Sequence, residues 1–318
     1  MDLTINISVI IPVYNHQNFI AQCLDSLLSQ DYKDWEGIII NDGSTDDSLS
    51  IINEYAKKDS RFVVIDQHNM GIYNLHVIYN NALKISRGEY IAILEGDDYW
   101  PKTKLSLQME SFNDPDVGLS WGNGIYVDVN GNEIYKLDNQ ENKWGKNIVT
   151  NYPIGSSTKY FLFASNFFNM PTCSVMYRKN VLQEINGFWQ PNGLKWLDRT
   201  TWILVSLKYK FAYCAYNTGY WRRHEAQVTS INTDIKSTLD YVANSDLSGL
   251  SSLETYLNSF SVEIKIHIYL MYIYRLLSLN NSLKLFHLCI KLFYVAINSP
   301  IKFINHLRFI SKIKNKCI

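Results

Sequence analysis

Two hydrophobic rhythms alternate along the first hundred residues. Ser8-Val-Ile-Ile-Pro-Val-Tyr14, Trp35 to Asn41, Phe62 to Asp66 and Tyr90 to Leu94 are short β-branched or apolar runs, the pattern of buried strands. Between them, apolar residues recur at helical spacing. Phe19, Ile20, Cys23, Leu24, Leu27 and Leu28 predict a first helix with Asn18 as its N-cap. Leu49, Ile51, Ile52 and Tyr55 predict a second after the turn Asp42-Gly-Ser-Thr, and a third is expected around Ile72 to Ser86. Such alternation argues a parallel, doubly wound sheet. Strand ends at Tyr14, Asn41, Asp66 and Leu94 would then bring four loops to one crevice.

Beyond Trp100 the rhythm changes to mixed or antiparallel structure. A helix is predicted over Thr103 to Phe112, a strand near Val117 to Trp121, and a hairpin at Asn130-Gly131 between Ile125-Tyr-Val and Ile134-Tyr. Residues 136–170 are rich in Asn, aromatics and Gly without clear period, as expected of a loop region bordering a binding site. From about Tyr241 the pattern is helical only, with Ile264, Ile268, Met271, Leu285, Leu288 and Leu292 at helical spacing. The expected organisation is an α/β domain over 1–235, in halves 1–100 and 101–235, followed by a helical region over 236–318.

Charge sharpens that division. The formal net charge of zero conceals nine Lys/Arg in 261–318 against Glu263 alone, a local +8 that the first 260 residues balance with −8. An acidic body with a basic tail points to an anionic partner, either nucleic acid or a membrane surface. No helix-turn-helix, zinc or recognition-sheet signature accompanies the tail, so no nucleic-acid partner is expected. The five cysteines are odd in number, widely spaced and without a C-x-x-C pair, which argues against a disulfide framework or zinc site and for a reducing compartment. The start Met-Asp-Leu-Thr lacks a signal-peptide pattern, and no uncharged apolar run approaches the roughly 18 residues that span a bilayer. The expected location is cytoplasmic, with the basic tail either resting on the inner face of the cytoplasmic membrane or packing on the protein.

The most pointed chemistry follows the fourth strand. Gly88-Glu-Tyr-Ile-Ala-Ile-Leu94 leads straight into Glu95-Gly-Asp-Asp98, three carboxylates in four residues. At the carboxyl end of a strand in an open α/β sheet they occupy the usual ligand position, and they suit a hard cation such as Mg2+ or Mn2+ bridging substrate phosphates. The competing reading is an acidic turn capping the helix near Thr103.

Four elements in order, Ser8-Val-Ile-Ile-Pro-Val-Tyr-Asn15, Asn41-Asp-Gly-Ser-Thr-Asp46, Gly88-Glu-Tyr-Ile-Ala and Glu95-Gly-Asp-Asp98, closely resemble glycosyltransferase family 2 across about residues 5–230. The resemblance implies a GT-A fold, a Rossmann-like mixed sheet flanked by helices. It further implies inverting, metal-dependent transfer of a sugar from a nucleotide diphosphate donor, most often UDP-linked, to an acceptor hydroxyl in bacterial surface polysaccharide synthesis. By motif, Pro12, Val13 and Tyr14 would line the nucleobase pocket, Asp42 would accept a hydrogen bond from the base, and Asn69 and Gly71 would lie beneath the nucleotide. Glu95 stands where the family usually has Asp, towards the ribose or supporting the metal; Asp97 would be the main metal ligand, and Asp98 either assists or caps a turn. Asp198 would be the general base, although many members have Glu-Asp where this chain has Leu197-Asp198.

Tyr220-Trp-Arg-Arg-His224 resembles the family's closing element, with Arg222 on the diphosphate and His224 completing the metal shell. The segment after Gly71 lacks the Ala-Arg-Asn of many members, which leaves Asn80 and Asn81 without an assigned role. A glycan or polyprenyl-linked saccharide is the implied acceptor. The Glu95 replacement and the isolated Asp198 also admit a non-catalytic nucleotide-sugar-binding scaffold. A processive synthase is disfavoured, because its usual Gln-x-x-Arg-Trp element is missing from the sequence.

Overall fold

The computed structural model describes residues 5–137, 170–190, 197–225 and 227. The chain divides into one unit of residues 1–190 with 195–231 and a second of 191–194 with 232–318. The expected loop over 136–170, apart from its ends, and the helices expected after Tyr241 lie outside the described residues.

In the first unit, β1 (Ile7–Val13), β2 (Trp35–Asp42), β3 (Phe62–Gln67) and β4 (Tyr90–Ile93) run parallel, joined by α1 (Ile20–Leu28), α2 (Ser48–Lys58) and α3 (Leu75–Ile85). The order β3-β2-β1-β4 means that the chain winds outward from β1 in one direction and then returns to its other side. A crevice opens where the winding reverses, outside the carboxyl ends of β1 and β4. The unbroken apolar runs follow from burial on both faces: all of β4, and all of β1 except half-buried Pro12, is buried.

The sheet then becomes mixed. β5 (Val117–Val127), β6 (Glu133–Leu137), β7 (Met176–Arg178) and β8 (Lys210–Arg222) follow, with α4 (Lys104–Met109), α5 (Lys179–Glu184) and α6 (Asp198–Lys208) between them. β7 pairs antiparallel with both β4 and β5, and β5 pairs antiparallel with β6 and parallel with β8. The hairpin at Asn130-Gly131 forms: Asp128 N–H donates to the Asn132 carbonyl at 2.9 Å, and the Asp128 carboxylate accepts the amides of Asn130 and Asn132.

Two local expectations change. α1 begins at Ile20 with no side-chain cap from Asn18. The chain instead turns at Asn15, whose φ is 56°, and the His16 carbonyl accepts the amides of Phe19 and Ile20, each at 2.9 Å. The helix expected to reach Phe112 is α-helical only to Met109 and ends in a 3-10 turn over Glu110–Asn113. Among the described residues no helix is long and apolar enough to cross a membrane.

Candidate active site at the ends of β1 and β4

The loops after β1 and β2 are clamped to each other by their polar residues. Asn15 N–H donates to Ser44 Oγ, and Asn15 Oδ1 accepts the Thr45 amide at 2.8 Å. Gln17 N–H donates to Asp46, and Gln17 Oε1 accepts the Asp47 amide. Most of the Asp42-Gly-Ser-Thr-Asp motif is therefore spent on loop geometry. The clamp leaves Tyr14 47% exposed, while Val13 is buried in the core and Pro12 is half-buried.

Asp42 ends β2 opposite Gln67 of β3. Its Oδ1 accepts Gln67 Nε2 at 2.7 Å and the Met70 amide at 2.9 Å, and its carbonyl accepts Asn69 Nδ2 at 2.9 Å. Asn69 and Gly71, with φ of 76° at the glycine, thus shape the turn that holds Asp42.

The acidic loop packs tightly on β1. A Cβ at Gly96 would lie 2.8 Å from His16 Nδ1 and 2.9 Å from Val13 Cγ2, so only glycine fits between the two loops. Tyr99 and Tyr220 exchange backbone hydrogen bonds and stack at 4.5 Å, which fastens the end of β8 to this loop and brings His224 to Asp97. His224 Nε2 lies 3.1 Å from Asp97 Oδ2, and His16 Nε2 lies 3.9 Å from the same oxygen. Burial alone would raise the Asp97 titration, but the two imidazoles hold it below its ordinary value. Burial and the Asp97 charge push Glu95 upward. Glu95 accepts the Tyr79 hydroxyl on Oε1 at 3.4 Å, and its buried Oε2 has no partner among the described residues.

Among the described residues no three His, Cys, Asp or Glu side chains form a ready-made metal cage. The donors present nevertheless fit Mg2+ or Mn2+: a carboxylate and an imidazole already meet, with an unsatisfied carboxylate oxygen on the same loop. Cations of this kind take few protein ligands and complete their shells with phosphate oxygens and water.

Asp98 and Arg222 answer differently. Asp98 is 3% exposed and accepts the Arg222 amide at 2.8 Å, which makes it a turn-fixing residue. Arg222 is 1% exposed. Its guanidinium donates to the carbonyls of Asp97, Asp128 and Val129 and to Gln22 Oε1, and it lies over the rings of Phe19 and Tyr99. Four of its five N–H groups thus turn to protein acceptors, and the side chain braces the acidic loop from beneath.

Asp198 opens α6, where a carboxylate is favoured by the helix dipole, and its Oδ2 accepts the Thr172 hydroxyl at 3.0 Å. Burial first, and then the charges of Glu95 and Asp198, push the Tyr79 hydroxyl up. Asn80 explains how α6 is held there. Its side chain donates to the Phe188 carbonyl at 2.9 Å and accepts the Phe188 amide at 2.8 Å, and a Cβ at Gly187 would collide with it. Gln190 donates to the Ile72 carbonyl and accepts the His76 amide, while Thr200 and Thr201 bond the Trp189 backbone.

The motifs did not single out His16, Gln67, Tyr79, Asn80 or Gln190 as parts of the site. His16 had a usable signal, since it directly follows Tyr14-Asn15. The others serve partners distant in sequence.

A family model for Glycosyl transferase family 2 matches residues 8–185. The uncharacterized glycosyltransferase EpsJ of Bacillus subtilis is 45% identical over 93 residues, 29% of this chain and 26% of that protein. The UDP-Glc:alpha-D-GlcNAc-diphosphoundecaprenol beta-1,3-glucosyltransferase WfaP of Escherichia coli is 42% identical over 118 residues, 37% of this chain and 45% of that protein. The chain thus spans under half the length of these two relatives. TarS of Staphylococcus aureus, solved with UDP-GlcNAc, shares the fold at a TM-score of 0.57 and 18% identity, over 96% of this chain and 80% of that one. With its sheet, its ordered motifs and a family match over more than half its length, the chain belongs to glycosyltransferase family 2.

Proposed function

We propose that this protein transfers a sugar from a UDP-linked donor to an acceptor hydroxyl with inversion at the anomeric carbon, in the assembly of a bacterial surface glycan. The observation that carries the reading is the convergence of Asp97, His224 and the unsatisfied Glu95 carboxylate oxygen at the carboxyl end of β4. Asp198, at the start of α6, supplies the carboxylate that this reading needs as a base. WfaP, by its name, uses UDP-Glc and a diphosphoundecaprenol-linked acceptor, which supports a UDP donor and a polyprenyl-linked saccharide acceptor here.

In this mechanism Tyr14 and Asp42 hold the nucleobase, and Asn69 and Gly71 shape the floor under the nucleotide. Asp97 and His224, with Glu95 beside them, would hold Mg2+ or Mn2+, which supplies neutralisation of the charge growing on the departing diphosphate. Asp198 accepts the acceptor's hydroxyl proton as that oxygen attacks the anomeric carbon from the face opposite the leaving group. An α-linked donor then yields a β-linkage. The basic 261–318 segment supports attachment to an anionic membrane surface, where a polyprenyl-linked acceptor resides.

A panel of nucleotide sugars with Mg2+ or Mn2+, scored by thermal stabilisation and donor hydrolysis, tests the reading. Stabilisation by a UDP-sugar and turnover that disappears in Asp198→Ala are expected. Failure of every UDP compound to bind would overturn the donor assignment, and undiminished turnover in Asp198→Ala would overturn the base.

A further inference from the structure

The arrangement around Asp42 carries more than base binding. Two donors, Gln67 Nε2 and the Met70 amide, converge on the same oxygen, Oδ1. Neither is free to move away. Gln67 is register-paired with Asp42 at the end of β3, and the turn bearing Met70 is pinned by the Asn69 bond to the Asp42 carbonyl. That turn also packs on Gly43, where an added Cβ would lie 2.6 Å from the Asn69 nitrogen. No described residue bonds Oδ2, and Oδ2 is not among the buried unpartnered atoms, so this oxygen remains for a ligand.

A carboxylate with one oxygen spent accepts a single N–H rather than a parallel pair. Uracil and thymine present one such donor, the imide N3–H. Guanine presents N1–H and an exocyclic N–H side by side, which are best met by both oxygens of a carboxylate. Cytosine at neutral pH turns a lone pair on N3 towards the same place, and a lone pair facing a carboxylate is repelled. Resting on the nucleotide placement proposed above, we infer that Gln67, with the Met70 amide, is the positioning residue that leaves Asp42 one open oxygen and so excludes guanine from the base site. Cytosine is repelled by the carboxylate itself.

The same geometry dictates a reversal. In Asp42→Asn the two fixed donors require the amide oxygen at the Oδ1 position, because an NH2 group there would face two N–H groups. The NH2 must then occupy the Oδ2 position, where it donates to N3 of cytosine and opposes the imide N–H of uracil. Gln67 decides how firmly that orientation holds.

The test is calorimetric titration of the full chain, at constant Mg2+, with UDP, dTDP, CDP and GDP. The wild type is expected to bind the tighter of UDP and dTDP at least about tenfold more strongly than CDP or GDP, the effect of one charge-assisted hydrogen bond. Asp42→Asn is expected to prefer CDP over UDP by about the same factor. In Gln67→Leu, with Oδ1 partly released, the discrimination against GDP should shrink, and in the Asp42→Asn, Gln67→Leu double variant the CDP preference should collapse towards equality. A folded Asp42→Asn that still prefers UDP, or a Gln67→Leu with unchanged selectivity, overturns the inference. If Asp42→Asn does not fold, Gln67→Leu alone decides. Wild-type protein that binds UDP, CDP and GDP alike overturns the inference and leaves the glycosyltransferase reading standing, whereas wild-type protein that binds none of the four overturns the nucleotide placement itself.

Discussion

Replacing Arg222 by Met separates a brace from a ligand. Met keeps most of the aliphatic stem, so the loss falls on the guanidinium and its bonds rather than on a cavity. Those bonds reach the Asp97 carbonyl at 2.8 Å, the Val129 carbonyl at 2.9 Å, the Asp128 carbonyl at 3.3 Å and Gln22 Oε1, all around a side chain that is 1% exposed. Hydrogen bonds to a charged donor contribute about 1.5–3 kcal/mol each, but they share one group and do not add. Stranding these acceptors in the interior should cost about 3–5 kcal/mol, a large part of a stability of roughly 5–15 kcal/mol. For a unit of this size the loss corresponds to roughly 6–20 °C in Tm. Thermal unfolding followed by circular dichroism, with and without UDP, reads the result. Arg222→Lys should recover little, since a point charge cannot reproduce the planar fork. An Arg222→Met protein with wild-type Tm and selectively weakened UDP binding would refute the brace and return Arg222 to the diphosphate.

Three further outcomes are expected. Asp198→Asn should lower kcat for transfer by about 10²–10⁴-fold while UDP affinity stays within about twofold, checked by a transfer assay and calorimetry; equal losses in both would mean that Asp198 serves binding. Lys104 is fully buried, stacks over Trp100 and has no hydrogen-bond partner for its Nζ among the described residues, so burial pulls its ammonium down to about 7. Above that value the unfolded chain binds the extra proton, and stability should rise by about 2 kcal/mol between pH 7 and 9; urea unfolding of wild type and Lys104→Met checks this, the variant lacking that part of the slope. Asn80→Ala removes both bonds to the Phe188 backbone and should destabilise by about 2–3 kcal/mol. It should also lower kcat by loosening the segment before Asp198, whereas a loss of stability with kcat intact would confine Asn80 to a structural part.

Much of the fold was legible because its signals are local. The apolar runs at Ile7–Val13 and Tyr90–Ile93 need only their own residues to declare buried strands, and the Asn130-Gly131 turn needs only a residue that accepts positive φ. Long-range bonds were not legible. Nothing near Asn80 in sequence announces Phe188, and nothing near Gln67 announces that its amide will fall on one oxygen of Asp42 rather than the other. The cap at Asn18 failed for a related reason: a backbone turn at Asn15 let the His16 carbonyl take the helix's first amides.

Sequence by itself determined that four parallel strands would end on one side and that Glu95, Asp97 and Asp42 would stand there. Strand direction follows from the βα alternation, and residue position along a strand follows from counting. It could not determine which members of Tyr220-Trp-Arg-Arg-His224 reach that side. That choice depends on β8 lying parallel to β5 with shifts in register, and on the Tyr99–Tyr220 pairing that fixes its end. β8 ends at Arg222, which is buried under the acidic loop, and the chain leaving the strand carries His224 to Asp97. The tertiary structure thus decided how each charge is held, because four of the five N–H groups of Arg222 turn to protein acceptors while His224 faces Asp97.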